Sequence, residues 1–266
     1  MTLSDRLETL LKLAGLGRGF YPAPAPDTLF TVADIGCDHG FVSLELIRRG
    51  IADRVVAADL REGPLQRARE HVREAGLDEC IDIRISDGFS AVSPGECDAC
   101  VIAGMGGALM EEILTGGSEA VSRMAFLVLQ PQSELMHFRA FLREQGFSLI
   151  RGACLKDEGK WYFPMLAVPA GKDAEGKAAG DLRELTELLA GLSDLPGSPE
   201  AAALELSDRY GADLLLRRSP ADYLSEEAES LNRLRAELEG LPARPEERLL
   251  EIDQKRKWNA LARAVT

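Results

Sequence analysis

Val32-Ala33-Asp34-Ile35-Gly36-Cys37-Asp38-His39-Gly40 is the stretch on which the fold turns. An apolar run closes on an acid, two glycines frame an acidic turn, and helical spacing begins at Phe41. Outward from this point the same grammar repeats. Short apolar runs lie at Leu29–Ile35, Arg54–Asp59, Ile81–Ser86, Ala99–Ala103 and Phe126–Gln130, with helix-like segments near 41–49, 64–75, 107–114 and 133–145. Strands alternating with helices of this length predict βαβ units and a parallel, doubly wound α/β sheet. Near-continuous apolar strands fit a sheet covered on both faces. Two further runs, Phe147–Leu155 and Trp161–Val168, flank a Lys156-Asp157-Glu158-Gly159-Lys160 turn and predict a closing antiparallel hairpin.

Before the first strand, Leu3, Leu7, Leu10, Leu11 and Ala14 recur at helical spacing behind Ser4, a suitable N-cap. A Gly/Pro-rich turn is expected from Gly15 to Pro26. Beyond the hairpin the composition changes. Residues 1–168 read as one α/β domain, the small, polar segment 169–180 as a linker, and 181–266 as a helical domain. In the last part, 221–239 carries Leu224, Leu231, Leu234 and Leu238 on one stripe. Gly240-Leu241-Pro242 breaks that helix and 245–264 forms a second, giving an αα-hairpin with coiled-coil-like character.

Composition limits the function. The chain has 266 residues, 45% hydrophobic and 28% charged, enough for a full core. Its net charge is −13, divided as −7 over residues 1–168 and −6 over 169–266, which excludes a wholly basic nucleic-acid coat. No apolar run is long enough to span a membrane, and Met1-Thr2-Leu3-Ser4-Asp5-Arg6 does not read as a secretion signal. Five scattered cysteines suit reduced thiols in the cytoplasm. Cys97-Asp98-Ala99-Cys100 has metal-like spacing but no second pair, so no metal is expected.

The residues able to carry chemistry stand at the carboxyl ends of the expected strands, where open α/β sheets bind ligands. Gly36-x-x-x-Gly40 departs from the dinucleotide fingerprint, with Asp38 where a second glycine would be. That carboxylate opposes a pyrophosphate and suits an ammonium or sulfonium ligand. Asp59, at the second strand end, stands where an acid commonly accepts ribose hydroxyls. Ser86-Asp87-Gly88-Phe89 is a turn that can bring a carboxylate to an adenine amino group. Gly104-Met105-Gly106-Gly107 leaves room for a flat base, and the amides of Gln130 and Gln132 offer donors and acceptors to a base edge.

At these residues the sequence resembles class I S-adenosylmethionine-dependent methyltransferases. More narrowly, Asp34-Ile35-Gly36-Cys37-Asp38-His39, Ile102-Ala103-Gly104-Met105-Gly106-Gly107, Leu129-Gln130-Pro131 and Glu158-Gly159-Lys160-Trp161-Tyr162 resemble the bacterial tRNA (adenine(22)-N1)-methyltransferases, the TrmK family. One position departs: that family usually has Asn where this chain has Gln132. The resemblance implies a Rossmann-like sheet, S-adenosylmethionine as cofactor, tRNA as substrate and a cytoplasmic monomer. It implies a cofactor site of Asp34, Gly36, Cys37, His39, Gly40, Asp59, Leu60, Asp87, Gly88, Phe89, Ala103, Gly104 and Met105, with Asp38 and Gln132 as the catalytic candidates. Contacts to tRNA would come from among Arg48, Arg49, Arg67, Arg69, Arg73, Lys156, Lys160, Arg217, Arg218, Lys255, Arg256 and Lys257, each of which also suits a solvated helix face. A methyltransferase acting on a metabolite or protein, and a non-catalytic α/β binding module, are the alternatives; the missing G-x-G-x-x-G disfavours a nicotinamide enzyme.

Overall fold

The five apolar runs form β1 (Thr31–Ile35), β2 (Arg54–Asp59), β3 (Ile81–Ile85), β4 (Ala99–Met105) and β5 (Phe126–Pro131) in a computed structural model that describes every residue except 1, 2, 24, 26, 174, 175, 194 and 242–244. Helix α1 (Asp5–Phe20) precedes them. Between and after them come α2 (Phe41–Arg48), α3 (Glu62–Glu74), α4 (Gly107–Gly116), α5 (Ser118–Arg123) and α6 (Leu135–Glu144). The chain closes this part with β6 (Ser148–Gly152), β7 (Leu155–Asp157), β8 (Lys160–Tyr162) and β9 (Met165–Val168).

The main sheet runs β3-β2-β1-β4-β5-β9-β6, and β1 to β5 are parallel. Strand order reverses beside β1, between β2 and β4. This is the switch point at which the loops leaving two neighbouring strands diverge and open a crevice. Asp34 pairs across to Ala57 of β2 and Val101 of β4, so it stands at the centre of that crevice's floor. Two hydrophobic clusters cover the sheet. One is built on Leu10, Leu11, Phe30, Val55 and Phe126, the other on Ile102, Met110, Leu129 and Phe138.

The expected hairpin is present but divided. β9 inserts antiparallel between β5 and β6, and β7 and β8 pair as a separate two-stranded ribbon. The division falls at Ala153-Cys154 and Phe163-Pro164, where Pro164 has no N–H for a ladder.

The N-terminal helix corrects one expectation. Ser4 Oγ does accept the Leu7 N–H, at 3.4 Å. The helix then continues to Phe20 through the residues read as the start of a turn. A Cβ on Gly17 would lie 2.7 Å from the Phe126 ring, so this glycine serves close helix–sheet packing. Pro24 and Pro26 of the expected turn lie outside the described residues.

Residues Met1–Lys177 and Ala178–Thr266 are separate compact units. The second holds α7 (Lys177–Ala190), α8 (Pro199–Tyr210), α9 (Ala212–Leu216), α10 (Ala221–Glu239) and α11 (Glu246–Val265). Helix α7 begins inside the stretch read as linker, of which Ala174 and Glu175 lie outside the described residues. Helix α10 ends at Glu239, next to the expected break, while Pro242 lies outside the described residues. Of the leucine stripe on α10, Leu224 is fully buried and Leu231, Leu234 and Leu238 are half-buried. Polar groups also join this core. Glu227 accepts from Tyr210, Tyr223 and Asn259, and the buried Asn259 amide also donates to the Leu224 carbonyl at 2.9 Å. Among the described residues no helix is long and apolar enough to cross a membrane.

Candidate functional site

The turn after β1 takes three positive φ angles in five residues: Gly36 at 75°, Asp38 at 49° and Gly40 at 76°. Glycine adopts this region without a Cβ penalty, and Asp is among the few other residues that tolerate it. At Gly36 the requirement is doubled, because a Cβ there would collide with Cε of Met105 from the β4 loop. The fold thereby brings the ends of β1 and β4 into near contact.

The β1 and β2 ends are joined by hydrogen bonds. Gly36 and Cys37 N–H groups both donate to the Ala58 carbonyl, at 2.7 and 3.0 Å. Asp59 accepts the Asp38 N–H on Oδ2 at 3.2 Å and the Arg61 N–H on Oδ1 at 2.9 Å. A carboxylate has about four acceptor positions, so Asp59 keeps capacity for a ligand's hydroxyls.

A cleft of about 410 Å³ opens above these ends. That is within the size range of small-molecule sites. Asp34, Gly36, Cys37, Asp38, His39, Asp59, Ala103, Gly104, Met105 and Gln132 all line it. So do Arg6, Leu7, Phe41, Val42 and Arg61, which the sequence reading had not named for the site. Arg61 follows an expected strand end by two residues and was within reach of a local argument. Arg6 carried no such signal.

Five expected cofactor residues lie outside this cleft. Gly40 caps α2, and Leu60 stands 63% exposed beside Asp59. Asp87, Gly88 and Phe89 line a second hollow of about 440 Å³, shared with Leu109, Glu112 and Ile113. The Phe89 ring is buried in the core against Gly117, which leaves its backbone rather than its side chain for a ligand.

The β4 and β5 loops correct two further expectations. Gln130 has no exposed surface; its Oε1 accepts from Arg6 Nη1 at 3.0 Å and its Nε2 donates to the Pro131 carbonyl at 3.2 Å. Its amide is therefore committed, and Gln132 is the amide that faces the cleft. Gly104 borders the cleft at φ 81°, but Gly106 and Gly107 pack against Ser133 and allow the loops to approach, rather than leaving room for a base.

The electrostatics favour a cation. Asp34 is 4% exposed, and burial raises its carboxyl to about pKa 6. Ser43 Oγ opposes this by donating a 2.5 Å hydrogen bond, and the Asp59 charge adds to the rise. Asp38 lies 3.6 Å from both His39 Nε2 and Arg61 Nη2, and Arg61 Nε lies 3.5 Å from Asp59. His71 Nδ1–H donates to the His39 carbonyl at 2.9 Å, which fixes the loop. Cys37 is buried beside these acids, and its thiol is pushed far up by burial and by the charge of Asp34.

This arrangement yields a pH prediction. The Asp34 pKa lies above its usual 3.8, so the stability lent by its neutral form is full below about pH 4 and is lost as pH rises through about 6. Attraction for a cationic ligand runs the other way, because it needs the carboxylate. Affinity for S-adenosylmethionine is therefore expected to rise across pH 5–7, a window set by the pKa near 6. In Asp34→Asn this rise should vanish. Titration calorimetry across the window checks it, and an identical rise in the variant would remove Asp34 as its source.

The donor set fits an adenosylated sulfonium amino acid. Asp59 is suited to ribose hydroxyls, Asp34 and Asp38 to positive charge, and the Gly36 and Gly104 backbones to a close-lying ligand. Cys97 and Cys100, by contrast, are buried free thiols within the core.

A methyltransferase domain family matches residues 25–165, which contain every strand of the main sheet but β9, of which only Met165 falls inside. The tRNA (adenine(22)-N(1))-methyltransferase of Bacillus subtilis (strain 168) is 34% identical over 174 residues, 65% of this chain and 68% of that protein. The crystal structure of the B. subtilis m1A22 tRNA methyltransferase TrmK superposes with a TM-score of 0.72 at 24% identity, covering 98% of this chain and 99% of that one. Streptococcus pneumoniae Sp1610, a putative tRNA (m1A22) methyltransferase solved in complex with S-adenosyl-L-methionine, gives a TM-score of 0.72 at 22% identity over 98% and 100% of the two chains. These structural likenesses show a shared fold, and the B. subtilis relative narrows it. With its acid-and-glycine cleft at the switch point of a seven-stranded sheet, the chain belongs to the tRNA (adenine(22)-N1)-methyltransferase family.

Proposed function

We propose that the protein methylates N1 of adenine 22 in tRNA with S-adenosylmethionine as donor. The observation that carries this reading is the convergence of Asp34, Asp38 and Asp59 with the Gly36 and Gly104 backbones in one cleft, in a chain of this family. Bound S-adenosylmethionine supplies a methyl group activated by its sulfonium charge.

The chain's own residues have limited but definite work. We assign Asp59 to the ribose hydroxyls and Asp34 to the cationic amino-acid end. The N1 lone pair of adenine lies in the ring plane, so no base is needed to expose it. The protein must align the ring and exclude water. Methylation leaves positive charge on the ring, and a carboxylate facing it lowers the barrier. We assign that role to Asp38, which His39 and Arg61 hold from two sides at 3.6 Å. Gln132 lines the same cleft beside Gly104 and is assigned to the base edge. The adenine must leave its stack to reach the cleft, at a cost of a few kcal/mol recovered in pocket contacts.

Six of the twelve cations offered to tRNA by the sequence are paired with acids among the described residues. Arg48 and Arg49 meet Glu45, Arg69 meets Glu62, Arg217 meets Asp213, Lys255 meets Glu251 and Arg256 meets Asp253. Arg67 and Arg73 on α3 are exposed and make no ion pair among the described residues. We place the protein in the cytoplasm, as a monomer.

The test is transfer of labelled methyl from S-adenosylmethionine to total tRNA, followed by digestion to nucleosides. Label should co-elute with 1-methyladenosine. Label in another nucleoside, or only in protein or metabolites, would contradict the reading.

A further inference from the structure

Arg6 lies on the first turn of α1, and its side chain borders the cleft. Three contacts hold it. Nη1 donates to the fully buried Gln130 at 3.0 Å. Its backbone N–H donates to Asp157 Oδ2 on β7 at 3.1 Å. Its guanidinium carbon lies 5.7 Å from the centre of the Tyr162 ring on β8. A Cβ at Gly104 would lie 3.8 Å from Arg6 Nη1 and 3.8 Å from Gln132 Nε2, so the two groups flank one point at the β4 end.

The geometry leaves this guanidinium both fixed and unneutralised. Burying the Gln130 oxygen without a donor is costly, so Gln130 holds Nη1 in place. Among the described residues Arg6 makes no ion pair, whereas Arg49, Arg61, Arg69 and Arg84 of the same unit do. Nε and Nη2 remain as donors for a ligand. A positive group against the reacting ring would oppose the charge that methylation creates there. Its complement on a nucleotide is the phosphate, whose oxygens match a guanidinium's planar donors.

We propose that Arg6 binds a backbone phosphate flanking the target adenosine and so positions that nucleotide for transfer. The proposal rests on the tRNA reading above and adds a positioning residue to it. Arg6→Ala should lower kcat/KM for tRNA about 30-fold, the loss of a charge-assisted contact, with S-adenosylmethionine affinity unchanged within about twofold. Arg6→Lys, which restores the charge without the planar fork, should recover part of the loss. The dependence of log KM on log salt should flatten by about one phosphate contact in Arg6→Ala.

A chemical cycle tests the contact directly. Transcripts carrying a neutral methylphosphonate at either phosphate flanking the target are methylated by the wild type and by Arg6→Ala. One of the two replacements should slow the wild type and leave Arg6→Ala no slower than it already is. Additive losses at both phosphates, an unchanged salt slope, or an equal loss of cofactor affinity would overturn the assignment. Wild-type methylation of the unmodified transcript separates the two levels. If it is absent, the tRNA reading falls and the Arg6 assignment with it; if it is present and Arg6→Ala retains full kcat/KM, only the assignment falls.

Discussion

Asp59→Ala is expected to weaken S-adenosylmethionine binding at least tenfold in titration calorimetry. A carboxylate that accepts two ribose hydroxyls makes charge-assisted hydrogen bonds worth about 1.5–3 kcal/mol each, and loss of either alone reaches tenfold. Part of the loss will come from the loop itself, because Asp59 also accepts the Asp38 and Arg61 N–H groups. Asp59→Asn separates the contributions. It keeps one acceptor oxygen and nearly the same volume, and its affinity should fall between wild type and Asp59→Ala. Unchanged affinity in both variants, with an unchanged circular dichroism spectrum, would remove the ribose assignment.

Replacement of Asp38 is expected to act on the chemical step. Asp38→Asn should keep the fold, since Asn also tolerates the φ of 49° found here. Asp38→Ala adds backbone strain of about 1 kcal/mol at the same angle, so Asn is the cleaner probe. A preorganised charge facing a developing cation is worth roughly 10- to 100-fold in rate at a half-exposed position, less than the larger effects seen in fully enclosed sites. Single-turnover methylation of tRNA should fall by that factor in Asp38→Asn. Cofactor affinity measured separately shows whether Asp38 acts on the donor or on the acceptor. Full single-turnover activity in both variants would eliminate Asp38 as a catalytic group.

The parts of the fold legible in the sequence were those written locally. Apolar runs closing on Asp34, Asp59 and Gly104 marked strand ends, and parallel strands must put those ends on one rim. What escaped was decided by contacts far apart in the chain. Arg6 enters the site through Gln130, 124 residues away, and no periodicity near Arg6 signals it. Gln130 and Gln132 look alike in sequence, yet one is sealed under Arg6 and the other faces the cleft. Gly17 reads as a turn residue until the Phe126 ring is placed against it. Phe89 stands beside the Asp87-Gly88 turn, but the missing side chain at Gly117 offers its ring a place in the core.

The most direct test of the whole account uses a tRNA transcript with adenine at position 22 and a matched transcript with guanine there. Both are incubated with the protein and S-adenosylmethionine, then copied by reverse transcriptase, which a methyl group at N1 blocks. The account predicts a stop at position 22 in the first transcript and none in the second. Equal methylation of both transcripts, or methyl transfer to neither under conditions where the protein binds the cofactor, would contradict it.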